Sequence, residues 1–330
     1  MTPAQEPCTV SVVIVSFNSA NTIGEAISSI WRHLPSSQIT VVDNGSTDDT
    51  RTLVQQMPGV LLVHGQGNVG FGAGVNLGAR ESDGDLLLIL NPDATIVASR
   101  VDKMWTLAGL SSVGLVACQL HSAKGRARYL KHTEWGWRRE LGWAALRWFL
   151  LPHELPLRRP AVVKHGRRPW ISAAACIVGR AEFLSIGGFD EELFLYFEDY
   201  DLSRRYREGG ATVGTTDAIT FSHQGQGSAQ DGVEQIEAWA LLSLLSLVAK
   251  WDGFSESIRA ARATLRLLSG IAVMGQVARR LPRIGRRAAK KGHSASLVRA
   301  MILECVDRPP VPHTYETARA AVASATDTAP

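Results

Sequence analysis

The sequence predicts an α/β fold: a mostly parallel, Rossmann-like sheet flanked by helices, followed by a helical C-terminal extension. Two aliphatic runs, residues 10–15 (VSVVIV) and Leu86–Leu90 (LLLIL), have the near-continuous apolar character of strands buried on both faces. Segments with helical apolar spacing separate the strand candidates, and each strand candidate ends in polar residues. Strand, helix, strand, helix in this order implies right-handed crossovers and a parallel sheet.

The elements follow in order. After the first strand, residues 18–32 place Ile23, Ile27, Ile30 and Trp31 at helical spacing, with Ser19 and Asn21 as candidate caps. Residues 38–42 form a second strand that ends at Asp43-Asn44-Gly45-Ser46. A helix is expected from Ser46 or Thr47 to about Met57, just before Pro58, because Asp48 and Asp49 suit the positive end of a helix dipole. A short strand over residues 60–64 leads to Asn68-Val-Gly70-Phe-Gly72-Ala-Gly74-Val-Asn76 and a helix ending near Arg80. Glycines at such a place let backbone N–H groups approach an anion, although three glycines before a helix also make an ordinary loop. Their spacing is not GxGxxG and the first strand has no glycine loop, which disfavours a dinucleotide dehydrogenase.

Asn91-Pro92-Asp93 sits directly behind the run Leu86–Leu90. Ligands in open α/β sheets collect at the carboxyl ends of strands, and a hard oxygen ligand there suits a divalent metal that holds phosphates. The same three residues also make a common strand-ending turn. Farther on, Gly187-Gly188-Phe189-Asp190 predicts a turn and residues 199–208 an amphipathic helix with acids in its first turn. Residues 218–222 predict a strand with His223 just beyond it.

Taken together, these pieces resemble a known family. VVIVSFN (residues 12–18), VVDNGSTDDT (41–50), NVGFGAGVN (68–76), LNPD (90–93), GGFDEELFLYFEDYDLSRR (187–205) and His223 with Gly227-Ser228 come in the order seen in family two of the inverting nucleotide-sugar glycosyltransferases. The match looks like its rhamnosyltransferase-type branch and covers roughly residues 9–230. The resemblance implies a GT-A fold, a nucleotide-diphosphate sugar donor and a divalent cation, Mg²⁺ or Mn²⁺, which neutralises the departing phosphates. By match to its motifs, Asp93 and His223 are metal ligands, with Asn91 standing where the family usually has a first aspartate. Asn91 therefore turns to the donor through hydrogen bonds. An inverting transfer needs one base for the acceptor hydroxyl, and the motif assigns Asp199, with Glu198 and Asp201 as supporting acids that hold the helix start or pair with Arg205. Asp43 is expected at the pyrimidine or a sugar hydroxyl, with Ser16 and Asn18 on the same edge; capping of the next helix is the alternative reading. Asn68, Gly70 and Asn76 are expected to position diphosphate or sugar. For the acceptor, the expectations are Trp170 as a flat surface for a sugar face, Ala174 as part of a small-residue segment that leaves room, and Asp190 as a hydroxyl ligand or a loop brace.

Composition sets the outer bounds. A chain of 330 residues buries a sizeable core, and the expected organisation is a GT-A domain over residues 1–235, a helical basic extension over 236–307 and a disordered tail over 308–330. Within the first of these, residues 1–120 form the nucleotide-sugar half, 121–169 a Trp/Arg-rich insert and 170–235 the acceptor and catalytic half. Cys8, Cys118, Cys176 and Cys305 lie far apart, which argues against a disulfide framework or zinc ribbon and fits a reducing cytoplasm. No N-terminal secretion signal is legible, and the apolar run over residues 238–249 is too short for a membrane span.

Charge is unevenly distributed. Residues 257–293 hold ten Lys or Arg and no acid, which leaves the remainder at −6 against a whole-chain +4. Ile258, Ala261, Leu265, Leu268, Ala272 and Val277 share a helical face, and Arg279 to Lys291 form a basic cluster. Such a tail suits peripheral contact with an anionic inner leaflet and a lipid-linked acceptor; a solvated helix or a homo-oligomer contact is the alternative. Trp135, Trp137, Trp143 and Trp148 lie among cations, yet no nucleic-acid fold surrounds them, so a nucleic-acid partner is not expected. The resulting expectation is transfer of L-rhamnose from dTDP-rhamnose to a glycan or lipid-linked glycan in cell-envelope polysaccharide synthesis. A UDP-hexose or UDP-galactofuranose transferase, or a catalytically silent sugar-nucleotide-binding module, are the alternatives.

Overall fold

The computed structural model describes residues 9–108, 112–121, 127–129, 131–133, 169–223, 233–253 and parts of 259–270. The insert's four tryptophans, Gly227-Ser228 and the basic cluster 279–291 lie outside the described residues. The chain divides into two units. One comprises Met1–Thr133, Gly166–Glu191 and Glu198–Gln230; the other comprises Glu134–His165, Glu192–Phe197 and Asp231–Pro330.

The first unit is built on a sheet whose order along the main path is β3(Val60–Val63), β2(Gln38–Asp43), β1(Val10–Ser16), β4(Leu86–Leu90), β10(Ala175–Gly179), β6(Leu115–His121), β11(Val213–His223) and β5(Ala94–Ser99). A ninth strand, β7(Ala127–Tyr129), pairs with β6, while β8(Lys131–Thr133) and β9(Pro169–Ile171) make a separate two-stranded sheet. The first four strands are mutually parallel, as the alternation of strands and helices predicts. Beyond β4 the pattern changes: β10 runs antiparallel to β4 and β6, and β5 runs antiparallel to β11, so the second half of the sheet is mixed.

Strands β1 and β4 are buried on both faces because alternate side chains feed two core layers. Val12, Ile14, Leu86, Leu88 and Leu90 pack on one side with Ile23, Ile27 and Ile30 of α1(Ile23–His33). On the other side Val13, Val15, Leu87 and Ile89 meet Val75 and Ala79 of α3(Phe71–Arg80). Phe183 from α5(Arg180–Ser185) and Leu202 and Tyr206 from α6(Glu198–Glu208) complete this second layer. Each fully buried leucine contributes roughly 1.5–3 kcal/mol of transfer free energy, which makes the central strands the anchor of the fold. The close approach of α3 requires Gly78, where a Cβ would lie 2.5 Å from Val13 Cγ1.

Two expected helices are shorter than predicted, for one reason. The segment before α2(Thr50–Gln55) is a loop whose amides are taken by side chains: Asp43 accepts from Ser46 N (3.2 Å), and Asn18 Oδ1 accepts from Thr47 N (2.8 Å). Asn18 adopts a left-handed conformation (φ 49°), and the Ser19 and Ala20 amides donate to Thr50 Oγ1 (2.7 Å) and Asp48 Oδ2 (3.1 Å), so α1 begins only at Ile23. Ser19 does not cap it with its side chain: its hydroxyl donates to the Phe17 carbonyl, 3.2 Å away. Trp31, grouped by spacing with the isoleucines, is 36% exposed because it lies one step round the helix from Ile30.

Among the described residues, this unit also holds α4(Val101–Ala108). In the second unit, α7(Val233–Asp252) buries Trp239, Leu242, Leu244, Leu245, Leu247 and Val248. Its Trp239 ring stacks at 4.5 Å on Phe194, and Ser243 Oγ donates to the Leu195 carbonyl at 2.8 Å. Among the described residues, no helix is long and apolar enough to cross a membrane.

Candidate active site

Strand register assembles the first cluster. β5 follows β4 after a tight turn, and β11 lies antiparallel to it with His223 opposite Ala94. That pairing sets the last residue of β11 beside Asp93, and His223 Nε2 lies 3.1 Å from Asp93 Oδ1. Asn91 Nδ2 is 3.3 Å from the same ring nitrogen, and its backbone N–H donates to the Ala174 carbonyl at 2.9 Å. Asn91, Asp93, Ala174 and His223, from segments up to 132 residues apart, thus meet at the carboxyl end of β4. Asp93 is 4% exposed, so its carboxylate needs a compensating cationic or hydrogen-bonding neighbour. One carboxylate oxygen and one imidazole nitrogen are a donor set that fits a divalent ion taking its other ligands from phosphate oxygens and water. Among the described residues, no group of three or more His, Cys, Asp or Glu side chains gathers to hold a metal by itself.

The second cluster is the first turn of α6. Glu198, Asp199 and Asp201 enter at the helix's positive end, and Asp199 Oδ1 accepts from Tyr200 N at 2.8 Å. Glu198 is buried, and one of its carboxyl oxygens has no hydrogen-bond partner. Burial first, and the Asp199 charge second, push its carboxyl well above the ordinary glutamate range. Asp201, with no exposed side-chain surface, is paired with Arg205 Nε at 2.8 Å. Asp199 remains half-buried, and its field also reaches Cys176 on β10, whose thiol is raised by burial and then by Asp199.

The third cluster gathers where β1, β2 and α3 begin or end. Asp43 is buried, with Oδ2 on the Ser46 N–H and Oδ1 without a partner. Ser16 is buried beside it, its hydroxyl 3.5 Å from the Val42 carbonyl, while Asn18 holds the loop at Thr47. Asn68 Oδ1 accepts from Gly70 N at 3.1 Å, shaping the glycine turn in which Gly70 has φ 90°. Sequence reasoning missed Asn44, which it treated only as a turn residue. Its Nδ2 donates to the Gly70 carbonyl at 2.9 Å and so ties the end of β2 to the glycine loop.

Two of the residues expected at ligands are engaged within the protein. Asn76, expected at the donor, has its amide committed inside the protein: Nδ2 donates to the Phe189 carbonyl (2.9 Å) and Glu191 Oε1 (3.0 Å), and Oδ1 accepts from Phe189 N (2.8 Å). It braces the turn that contains Asp190. Trp170 is only 7% exposed and its ring makes a T-shaped contact with Tyr200 at 5.8 Å, so little of the indole is open to a ligand.

Residues 11–163 match the family described as glycosyl transferase family 2. An N-acetylglucosaminyl-diphospho-decaprenol L-rhamnosyltransferase of Mycobacterium tuberculosis is 27% identical over 240 residues, covering 66% of this chain and 76% of that protein. The O-antigen biosynthesis protein RfbC of Myxococcus xanthus is 28% identical over 212 residues, 62% of this chain but 16% of its own length. In three dimensions the fold is similar to that of GalNAc-T7, solved with UDP, GalNAc and Mn²⁺, at a TM-score of 0.54 and 16% identity. The alignment covers 79% of this chain and about half, 51%, of that one. Over residues 11–163 the chain is thus similar to family 2 glycosyltransferases, its fold is of the GT-A type, and the matched domain and relatives support a glycosyltransferase by class. Within that class its sequence is rhamnosyltransferase-like.

Proposed function

We propose that the protein is an inverting, metal-dependent transferase that moves L-rhamnose from dTDP-rhamnose to a glycan or lipid-linked glycan precursor of the cell envelope. The observation that carries this reading is the meeting of Asp93 and His223, 3.1 Å apart, at the carboxyl end of β4. Asp93 and His223 would hold Mg²⁺ or Mn²⁺, which supplies Lewis-acid neutralisation of the diphosphate leaving group. Asn91, one carboxylate fewer than an Asp-x-Asp pair, makes the ion depend more on donor phosphates and offers a hydrogen bond to the donor instead. The buried, unpartnered oxygen of Asp43 is matched to an N–H of a pyrimidine base, and Gly70 with the start of α3 to the diphosphate. Asp199 takes the proton of the acceptor hydroxyl as that oxygen attacks the anomeric carbon opposite the leaving group. Ala174 and Asp190 face the acceptor side in this reading, and Glu198, its carboxyl raised above the ordinary glutamate range by burial and by Asp199, is the supporting acid.

The rhamnose donor rests on the mycobacterial relative. A UDP-hexose donor is the second reading, favoured by a Haloferax volcanii relative named as a low-salt glycan biosynthesis hexosyltransferase, 23% identical over 219 residues. A lipid-linked acceptor and peripheral contact with the cytoplasmic face of the membrane are proposed from the basic run over residues 257–293. The test is transfer or donor hydrolysis over a panel of dTDP-, UDP- and GDP-sugars, with and without Mn²⁺, on the wild type and Asp199→Asn. The expected result is dTDP-rhamnose turnover that needs the cation and falls by roughly 10²–10⁴ in Asp199→Asn, with nucleotide affinity retained. Substantial turnover by Asp199→Asn overturns the base assignment, and no turnover with any donor overturns the enzymatic reading.

A further inference from the structure

The turn between α5 and α6 is gripped from two sides, by a side chain of α3 and a side chain of α6. From α3, the Asn76 amide closes a two-bond ring on Phe189, donating to its carbonyl and accepting from its N–H at 2.9 and 2.8 Å. From α6, Arg205 donates Nη1 to the Ile186 carbonyl (3.0 Å) and Nη2 to the Gly188 carbonyl (2.6 Å). Its Nε is held by the fully buried Asp201, one helical turn earlier and two residues after Asp199. Packing leaves this connector little room. A Cβ on Gly72 of α3 would lie 2.8 Å from Phe189 Cβ, and one on Gly188 would lie 2.2 Å from Asn76 Oδ1.

These contacts join the two helices on which the transfer reading depends, since α3 starts at the glycine loop and α6 starts at the acids. Buried hydrogen bonds that are all satisfied make a rigid link, and an Arg fork bonded to two carbonyls and a carboxylate fixes direction as well as distance. We infer that Asn76 and Arg205 are positioning residues: through the Ile186–Glu191 turn they set the Asp199 carboxylate relative to the donor loop. The inference rests on the transferase reading above and adds to it two residues that act without touching the donor.

Steady-state kinetics on full-length Arg205→Lys and Asn76→Asp test it, together with calorimetric binding of dTDP and UDP and hydrogen exchange over residues 186–191. Lysine keeps the charge but cannot span both carbonyls and Asp201, and aspartate removes the donor to Phe189. Both variants should lose roughly 10- to 100-fold in kcat, the cost of a misplaced catalytic group. Donor KM and nucleotide affinity should stay within about twofold of wild type, since uniform binding is untouched. Exchange in the turn should become faster. Wild-type kcat in both variants, or a nucleotide affinity that falls in step with the rate, overturns the proposal, the latter making Asn76 a donor ligand after all. Should the wild type transfer no sugar, the transferase reading fails alone: faster exchange at residues 186–191 in Arg205→Lys still supports the connector, and unchanged exchange sinks it.

Discussion

Replacing Gly188 by alanine should be among the most damaging single-methyl additions to this domain. Gly188 has φ 66°, a left-handed conformation that costs an L-residue about 1–2 kcal/mol. Its added Cβ would also lie 2.2 Å from Asn76 Oδ1 and 2.9 Å from Asn76 Cγ, so the amide must leave its place. Asn76 is buried, and its departure strands the Phe189 N–H and carbonyl, a further loss of about 2–3 kcal/mol. The expected destabilisation is therefore about 3–5 kcal/mol, a large part of the 5–15 kcal/mol by which a domain of this kind is stable. Gly187→Ala is the matched control: its φ is 84° but nothing lies within 4 Å of the new methyl, so only the backbone cost of about 1–2 kcal/mol remains. Urea unfolding followed by far-ultraviolet circular dichroism measures both. Equal losses in the two variants, or less than about 1 kcal/mol in Gly188→Ala, would refute the reasoning that the amide and the turn are locked together.

Other outcomes follow from the same structure. Asp43→Ala removes a buried carboxylate and should weaken pyrimidine-nucleotide binding roughly 10- to 100-fold by calorimetry; unchanged affinity would return Asp43 to a purely structural role at Ser46. Glu198 has a folded-state pKa raised by burial and by Asp199, so its contribution is fully present below the unfolded glutamate value and lost as pH rises through the folded one. Glu198→Gln should therefore flatten the decline in unfolding free energy as pH rises above the unfolded glutamate value, and parallel curves for variant and wild type would count against a raised Glu198 carboxyl. Truncation after Gly253 should release the protein from vesicles containing phosphatidylserine in a flotation assay, and retention would remove the basic tail from the membrane reading.

Much of the fold was legible because it depends on local apolar pattern. The runs at β1 and β4 are buried on both faces, as continuous aliphatic strands must be, and the parallel half of the sheet follows from the alternation of strands and helices. Helix starts were harder to read. Asp43 takes the Ser46 amide locally, three residues on, but Asn18 captures the Thr47 amide from 29 residues away, which nothing in the local spacing of that segment signals.

For the candidate site, the sequence by itself supplied the side chains with the capacity for chemistry: an aspartate behind β4, a histidine at the end of a later strand and three acids opening a helix. Tertiary structure decided which of them meet. The antiparallel pairing of β11 with β5 brings His223 to Asp93, a matter of strand register over more than a hundred residues that no local pattern encodes. Tertiary structure also engages the Asn76 amide with Phe189 and Glu191 and buries Trp170 against Tyr200. A side chain's hydrogen-bonding capacity is a property of its type, whereas the partner that uses it depends on what the fold places within 3 Å.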